Sequence, residues 1–415
     1  MKSLHKDRQT VNILFCMVAI VILTISASGC WDRREPKSLA MVSSSLFDLT
    51  ADGNYVLTIE VRNPAAQTSI QNGGKASNLT ATSAGKSAPE AMRNLSRSMD
   101  KPIFGWHNKV RFFSDRLARS DVISVQDYLL RSHVSDEKPL MIIVADEDPK
   151  RIYSATLGLS DTVGDYFENM SQANPELSAK SVFVDVLAFI KDYYDDGKQP
   201  VAGVIYLVPQ LSDTSDIETS DRQDPNNGAN KVFTIKNEGL AVFKNDKLVG
   251  YMNGTETRAY NFIINKIKTA VVNIQSGGDS VIVAINKSKA DVETTVEDNQ
   301  TVVEIRVKIS ASILQEGGSK NINKTDLLKT VENSLNMQIA EEITNAVQKA
   351  QTEFHSDIYG FGTTMHTQHP DQWEQIKNHW DDHYFTNAVI NVTVESSVDK
   401  TGSIKEPLRL EDGDG

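Results

Sequence analysis

The chain has 415 residues, a formal net charge of -12 at pH 7 and two cysteines. This length predicts about two or three domains, each large enough to bury a core of its own. The acidic balance argues against general nucleic-acid binding, which needs clustered Lys and Arg to displace phosphate counterions. Two cysteines, Cys16 and Cys30, are too few for a disulfide framework or a cysteine-rich zinc site.

The amino terminus has the parts of a secretory signal. Basic residues precede an apolar run from Val11 to Ile25, and small residues follow it immediately before Cys30. Because the run is short for a membrane span, we interpret residues 1–29 as a signal peptide. The small residues before Cys30 resemble a bacterial lipobox, with Ala27 where Leu is usual, so Cys30 is the predicted lipidation site. An uncleaved anchor, or ordinary secretion with an incidental Cys30, is the alternative.

Strand and helix patterns follow one another in the first half of the chain. Tyr55–Arg62 alternates apolar and polar residues, which predicts a half-buried strand. Gln67–Gly85, rich in Gly, Ser, Thr and Asn, predicts a connection, and Ser87 with Glu90 predicts the start of a helix. Leu39–Phe47 is an apolar-rich segment, separated from the Tyr55–Arg62 strand by a turn at Asp52-Gly53-Asn54. The other elements predicted here are strands at Val110–Phe113, Pro139–Ala145 and Val201–Val208 and helices at Val122–Arg131 and Ser181–Tyr194.

The second half reads as strands in series with one long helix. It begins with a hairpin that turns at Asn245-Asp246, and its longest helix, Asp326–Phe354, has apolar residues every three or four positions. Further strands are predicted at Lys268–Ile274, Ser280–Asn286, Val302–Leu314 and Ala388–Glu395. This pattern predicts α+β architecture rather than βαβ repeats.

The predicted fold is therefore α+β (mixed α/β), with mixed or antiparallel sheets and packed helices in several domains. Residues 1–29 form the signal peptide and 30–211 an N-terminal α/β region of two subdomains. Residues 212–230 contain five acids and one large apolar residue, a composition typical of a polar linker. Residues 231–402 form a C-terminal α+β domain with the long helix, and 403–415 a polar tail.

No catalytic constellation stands out. His379 and His383 have the spacing of a helical zinc site, but the residues between them lack the glutamate of H-E-x-x-H, so we interpret both as surface or packing residues. Paired carboxylates such as Asp195-Asp196 are interpreted as solvated surface. The sequence has no G-x-S-x-G nucleophile elbow, no phosphate loop and no dinucleotide fingerprint. We predict no enzymatic activity, no metal and no cofactor.

Glycines and aromatic residues cluster after the long helix. Asp357-Ile358-Tyr359-Gly360-Phe361-Gly362 predicts a helix stop with a left-handed glycine and aromatic rings folded back on the core. A partner-binding surface is the alternative, since aromatic residues are enriched at interface hot spots. The candidate partner contacts are Trp31, Phe361, Trp373 and Trp380.

These segments resemble the Ger(x)C family, the C subunits of nutrient germinant receptors in endospore-forming bacteria. The resemblance rests on Gly29–Glu35 (GCWDRRE), Gly239–Gly250 (GLAVFKNDKLVG), Glu256–Tyr260 (ETRAY) and Asp357–Trp380 (DIYGFGTTMHTQHPDQWEQIKNHW). It runs from the lipobox to the polar tail and covers nearly the whole chain.

The resemblance implies a three-domain, non-enzymatic lipoprotein of mixed α/β type, anchored through Cys30 to the outer face of the spore's inner membrane. It also implies assembly with a membrane-embedded A subunit and a transporter-like B subunit into a receptor that triggers germination. The family has no agreed ligand motif, so direct small-molecule binding is left open. The alternative function is a solute-binding lipoprotein of an importer, which would need two similar α/β lobes around a cleft. An extracytoplasmic hydrolase ranks third, because a nucleophile and acid/base pairs are missing.

Overall fold

The structure is a computed structural model that describes residues 14–15, 17–19, 38–62, 78–132, 138–173, 179–209, 233–276, 279–298, 300–316 and 324–400. Cys30, Trp31, the predicted linker and the predicted tail lie outside these ranges, as does most of the predicted signal peptide. Within them the chain forms two β-sheets with packed helices.

The larger sheet has ten strands. They are β1 (Ala40–Leu49), β2 (Tyr55–Arg62), β3 (Asn78–Gly85), β4 (Ile103–Phe104), β5 (Val110–Ser114), β6 (Leu140–Val144), β7 (Val201–Pro209), β8 (Phe233–Lys236), β9 (Leu240–Lys244) and β10 (Lys247–Met252). Their order is β10-β9-β7-β6-β5-β1-β2-β3, with β4 beside β1 and β8 beside β7. The central strands β7, β6, β5 and β1 are parallel, and antiparallel strands flank them on both sides.

Helices cover both faces of this sheet. They are α1 (Ala88–Ser98), α2 (Asp115–Ala118), α3 (Ile123–Ser132), α4 (Val163–Ala173) and α5 (Val186–Tyr193), with a 3-10 turn at Pro149–Ser154. Leu95 of α1 and Leu129 of α3 belong to the core on one face, together with Phe47 and Phe113. On the opposite face Phe167 of α4 packs edge-to-face on a sheet phenylalanine, with ring centroids 5.4 Å apart.

A buried carboxylate docks α4 on the sheet. Glu60 of β2 accepts hydrogen bonds from Ser43 Oγ at 2.7 Å and from the backbone N–H of Val163, the first residue of α4, at 3.0 Å. A carboxylate is favourable there because the first N–H groups of a helix lack intrahelical partners. The prediction of a half-buried β2 is wrong, since Thr58 and Glu60, on the face that the prediction left open to solvent, are both buried.

The second sheet lies in the C-terminal part of the chain. Its strands are β11 (Ala270–Ser276), β12 (Asp279–Glu297), β13 (Gln300–Glu316) and β14 (Val389–Lys400), in that order. The first three are antiparallel, and β14 runs parallel to β13. The C-terminal helices are α6 (Gly254–Ile263), α7 (Lys324–Lys349), α8 (Phe361–Gln368) and α9 (Pro370–Ile376), with π-helical turns at Ala350–Phe354 and Trp380–Phe385 and a 3-10 turn at Lys377–His379.

The long helix α7 has the apolar stripe that the sequence predicts. Its buried side chains recur every three or four residues, face the second sheet and are Val331, Leu335, Ile339, Ile343 and Val347. The predicted mixed α/β class, with two mixed sheets and one long C-terminal helix, is confirmed. The parallel strands β5, β6 and β7, joined by helices, add βαβ connections that the sequence pattern does not indicate.

Two further local predictions are wrong. The predicted connection Gln67–Gly85 contains strand β3, an edge strand whose partly exposed Thr and Ser side chains gave no apolar signal. The helix predicted at Ser181–Tyr194 begins only at Val186. Asp185 ends the preceding extended segment, because its carboxylate accepts from the backbone N–H of Ala188 at 2.7 Å and caps the helix.

Candidate functional site: the Asp357 junction

The glycine and aromatic segment begins directly after the π-helical turn Ala350–Phe354. His355, with φ 48°, is the left-handed residue that ends the helix. The predicted left-handed glycine is present at Gly360, with φ 79°, but it lies at the start of α8 rather than at the helix stop. The prediction therefore has the correct backbone conformation and the wrong residue at the helix end.

One buried carboxylate organises this loop. Asp357 Oδ1 accepts from the backbone N–H groups of Tyr359 at 3.1 Å and Gly360 at 3.0 Å. Its Oδ2 accepts from the N–H of Gly362 at 2.9 Å and from the indole Nε1 of Trp380 at 2.9 Å. Four donors thus converge on one side chain, which satisfies the requirement that a buried carboxylate be hydrogen-bonded.

The predicted partner contacts of this region are buried. Phe361 and Trp373 are 1% exposed and Trp380 is 2% exposed. Trp373 and Trp380 pack edge-to-face with ring centroids 5.4 Å apart, and Phe361 stacks on Tyr359 at 5.2 Å. Partner contact through these three rings stays a prediction, and it would require local opening of the loop. Trp31, the fourth candidate, lies outside the described residues.

The loop contacts the turn that leads into β7 of the larger sheet. Thr363 donates its backbone N–H to the carbonyl of Gly197 at 3.1 Å and its hydroxyl to Asp195 Oδ1 at 2.9 Å. The N–H of Gln199 donates to the carbonyl of Asp357 at 2.8 Å. We call the Asp195–Gln199 turn, the Asp357–Thr363 loop and the side chains of Trp380 and Asp381 the Asp357 junction.

Two glycines permit this close backbone contact. A Cβ atom on Gly197 would lie 2.3 Å from the backbone N of Thr363, and one on Gly362 would lie 2.7 Å from the Cα of Gly197. Real Cβ atoms do not come this close to backbone atoms, so any larger residue at either position would push the two segments apart.

A second carboxylate extends the junction to the β9–β10 hairpin. Asp381 Oδ1 accepts from the backbone N–H of Asp357 at 3.2 Å, and Asp381 Oδ2 accepts from Gln199 Nε2 at 2.5 Å. Gln199 Oε1 in turn accepts from the N–H of Asn245 in the hairpin turn at 2.7 Å. The side chain of Gln199 therefore ties the hairpin to the loop.

Burial raises the pKa of Asp357 to about 7, and the neighbouring negative charge of Asp381 acts in the same direction. The hydrogen bonds from Gly362 and Trp380 oppose this increase. Burial also raises the pKa of Asp381. The junction therefore holds two coupled acidic groups away from water.

The side chains of the junction hold the loop and the turn together. Its polar atoms hydrogen-bond to one another and to the backbone, and the Thr363 hydroxyl donates to the Asp195 carboxylate beside it. Within the described part of the chain no group of three or more His, Cys, Asp and Glu side chains is arranged to hold a metal. His379 and His383 are both exposed.

The Asp195–Gln199 turn of the junction could not be recognised from the sequence. The interpretation of Asp195-Asp196 as solvated surface agrees with the exposed Asp196 and is wrong for Asp195, because the Asp195 carboxylate accepts from Thr363, 168 residues away. The only local signal is an acidic turn with one glycine at Asp195–Gly197, which is common at protein surfaces. Nothing in that signal indicates a distant partner.

Two family models match the regions that the junction connects. The model described as "Spore germination protein N-terminal domain" matches residues 32–207, and the model described as "Spore germination B3/GerAC like, C-terminal" matches residues 238–402. These matches define the class of the protein as a spore germination protein with both domains present. The chain belongs to the Ger(x)C family, the C subunits of germinant receptors.

Curated relatives and one solved structure agree with this assignment. Spore germination protein KC of Bacillus subtilis (strain 168) is 22% identical over 404 residues, 95% of this chain and 98% of that protein. Spore germination protein B3 of the same organism is 25% identical over 390 residues, 91% of this chain and 94% of that protein. The crystal structure of the GerBC protein covers 85% of this chain and 96% of its own, with a TM-score of 0.54 and 19% identity, and shows a similar fold.

Replacing Asp357 with Asn should destabilise the protein. The amide NH2 must face two of the four N–H donors in either orientation, so two buried donors lose their acceptor, at a cost of about 2–4 kcal/mol. Urea denaturation measures the change. Asp382→Asn is the matched control, because Asp382 is an exposed carboxylate in a surface ion pair with Lys244 at 2.7 Å, and its replacement should change the unfolding free energy by about 0.5 kcal/mol or less. Equal stability of Asp357→Asn and the wild-type chain would contradict the structural role of Asp357.

The stability that Asp357 contributes should depend on pH. Its pKa is 3.8 in the free side chain and about 7 in the folded protein, so the folded state binds the proton more tightly. The resulting stabilisation is complete below the free value and is lost as the pH rises through about 7. We therefore expect the unfolding free energy of the wild-type chain, minus that of Asp357→Asn, to fall between about pH 5 and about pH 8. A rise over this range would show that the four N–H donors, rather than burial, determine the pKa.

Proposed function

We propose that the chain is the lipid-anchored C subunit of a nutrient germinant receptor, and that it acts with membrane-embedded A and B subunits to trigger spore germination. The observation that supports this most strongly is the match of both germination-protein domains in one chain, in order, over residues 32–207 and 238–402. The curated relatives that this chain matches over nearly their whole length are named as spore germination proteins.

The proposed anchor is a lipid on Cys30, exposed as the first residue when residues 1–29 are removed. Among the described residues no helix combines the length and the apolar character that crossing a membrane requires. The chain carries a net charge of -12, and an acidic surface is repelled by anionic lipid headgroups. Two or more acyl chains, at about 0.8 kcal/mol per buried methylene, supply stable attachment without help from charge.

The proposed geometry places the folded body close to the membrane. Strand β1 begins at Ala40, ten residues after Cys30. A chain of that length reaches at most about 35 Å when fully extended. The larger sheet, which begins with β1, would then lie within reach of membrane-embedded partners on the outer face of the spore's inner membrane.

We propose a non-enzymatic role, and the buried acidic residues Glu60 and Asp357, with the partly buried Asp381, support it because they serve packing. Glu60 docks a helix, and Asp357 and Asp381 hold the junction. The importer alternative requires two similar lobes around a cleft. The ten-stranded and four-stranded sheets differ in size and connectivity, so the described residues do not form such a pair of lobes.

Replacing Cys30 with Ala should abolish lipid attachment. Spores or vegetative cells that express the Cys30→Ala chain should incorporate no labelled palmitate into it, and the protein should leave the membrane fraction. Cys16→Ala is the matched control, because Cys16 lies inside the predicted signal peptide and should be removed with it. Palmitate labelling that persists in Cys30→Ala would contradict the proposed anchor.

Deleting the gene should remove the response of spores to one class of nutrient. Germination triggered by unrelated stimuli should stay intact, because the receptor acts upstream of the common steps. Loss of optical density in spore suspensions measures both responses. Restoration by the wild-type gene, but not by the Cys30→Ala gene, would connect the phenotype to the anchored protein. A full nutrient response in the deletion strain, over all nutrients that trigger the parent, would contradict the receptor role.

A further inference from the structure

An apolar segment lies on the surface where the chain enters the larger sheet. Residues 102–106 read Pro-Ile-Phe-Gly-Trp, and none of these five residues is buried. The side chain that protrudes most is Trp106, which is 50% exposed. Trp373 and Trp380, the other tryptophans in the described ranges, are 1% and 2% exposed. We call residues 102–107 the Trp106 segment.

The Trp106 segment is paired with the start of β1. Ala40 donates its backbone N–H to the carbonyl of Pro102 at 2.9 Å, and β4, within the segment, runs parallel to Ala40 and Met41. Ala40 follows Cys30 by ten residues. The segment therefore lies at the edge of the larger sheet that is nearest, along the chain, to the proposed lipid.

The ring of Trp106 projects from a fixed turn. Strand β4 ends beside Met41 and β5 begins beside Ser44, so residues 105–109 lie next to only two residues of β1 and bulge away from the sheet. The N–H of Asn108 donates to the carbonyl of Gly105 at 3.0 Å and closes the turn. Because the backbone is hydrogen-bonded at its base, the exposed indole is presented in a defined place.

Polar and charged side chains surround the Trp106 ring. His107 and Lys138 are exposed, and the Nζ of Lys109 pairs with Glu168 at 2.6 Å. These four side chains border a groove of about 310 Å³ beside Trp106. An indole among lysines and other polar groups is typical of protein surfaces at the headgroup layer of a membrane, where the ring leaves water and its N–H stays hydrated.

We propose that the Trp106 segment inserts into the headgroup layer of the bilayer that holds the Cys30 lipid. The proposal rests on the proposed anchor and goes beyond it, because a lipid on ten residues of chain leaves the orientation of the body free, whereas insertion of the ring fixes one edge of the sheet on the membrane. That tether reaches at most about 35 Å, so the bilayer surface is always close to the segment. Insertion of an uncharged ring is compatible with the net charge of -12.

The test is quenching of tryptophan fluorescence by brominated phosphatidylcholine, in nanodiscs that carry the full-length lipidated chain. Bromine on the acyl chains quenches an indole only at short range, so quenching reports insertion. Trp31 directly follows Cys30, so every chain carries Trp31→Phe to remove its signal. We expect brominated lipid to reduce the emission of this chain, and the further change Trp106→Phe to abolish the reduction. The buried Trp373 and Trp380 supply a constant signal in both chains.

A tryptophan at the opposite end of β1 is the matched control. Ala51 is exposed in the turn between β1 and β2, and the ten residues of β1 separate this turn from Ala40 by about 33 Å. Ala51→Trp, added to the chain that lacks Trp31 and Trp106, should show no quenching.

Three results overturn the proposal, and they separate it from the proposed anchor. Equal quenching with and without Trp106, in chains that co-purify with the nanodiscs, would leave the anchor intact and the segment to a protein partner. Quenching of Ala51→Trp as strong as that of Trp106 would show that the body has no preferred edge on the membrane. A lipid-free chain that does not co-purify with nanodiscs would overturn the anchor and the insertion together.

Discussion

A single buried carboxylate determines how the two sheets of this protein meet. Asp357 cannot stay in the interior without hydrogen-bond donors, and the donors that satisfy it are three loop N–H groups and the indole of Trp380. The loop geometry that brings those donors together also presents the N–H of Thr363 to Gly197 in the larger sheet's connection. Because the buried Asp357 carboxylate must be hydrogen-bonded, the loop takes a conformation that also brings distant parts of the chain into contact.

Apolar burial and the polar junction make different contributions to the packing of the two sheets. Val201, Leu240 and Met252 of the larger sheet belong to the same core as the residues of the second sheet and α7. This shared core supplies most of the free energy of association, but the hydrophobic effect is non-directional. Hydrogen bonds have defined lengths and angles, so the contacts of Gln199, Thr363 and Asp381 select one arrangement of the packed sheets.

Elements with a local signal could be predicted from the sequence, and elements that depend on distant partners could not. The apolar stripe of α7 and the turn at Asn245 are local patterns, and both are present. Strand β3 was missed because an edge strand with one open face needs few apolar residues. The burial of Glu60 depends on α4, about 100 residues further along. The family resemblance identified the Asp357 segment without indicating its role, because its partners at Asp195 and Gly197 have only a surface-turn signal.

Backbone contact at Gly197 holds the Asp357 loop against the larger sheet, and calorimetric unfolding of the Gly197→Ala chain measures what this contact contributes to stability. The added Cβ would lie 2.3 Å from the backbone N of Thr363, so the junction must separate. We expect Gly197→Ala to lose about 1–3 kcal/mol of unfolding free energy and to unfold at a lower temperature than the wild-type chain. A Gly197→Ala chain that unfolds at the wild-type temperature would show that the close contact at Gly197 is not needed for the packing of the two sheets.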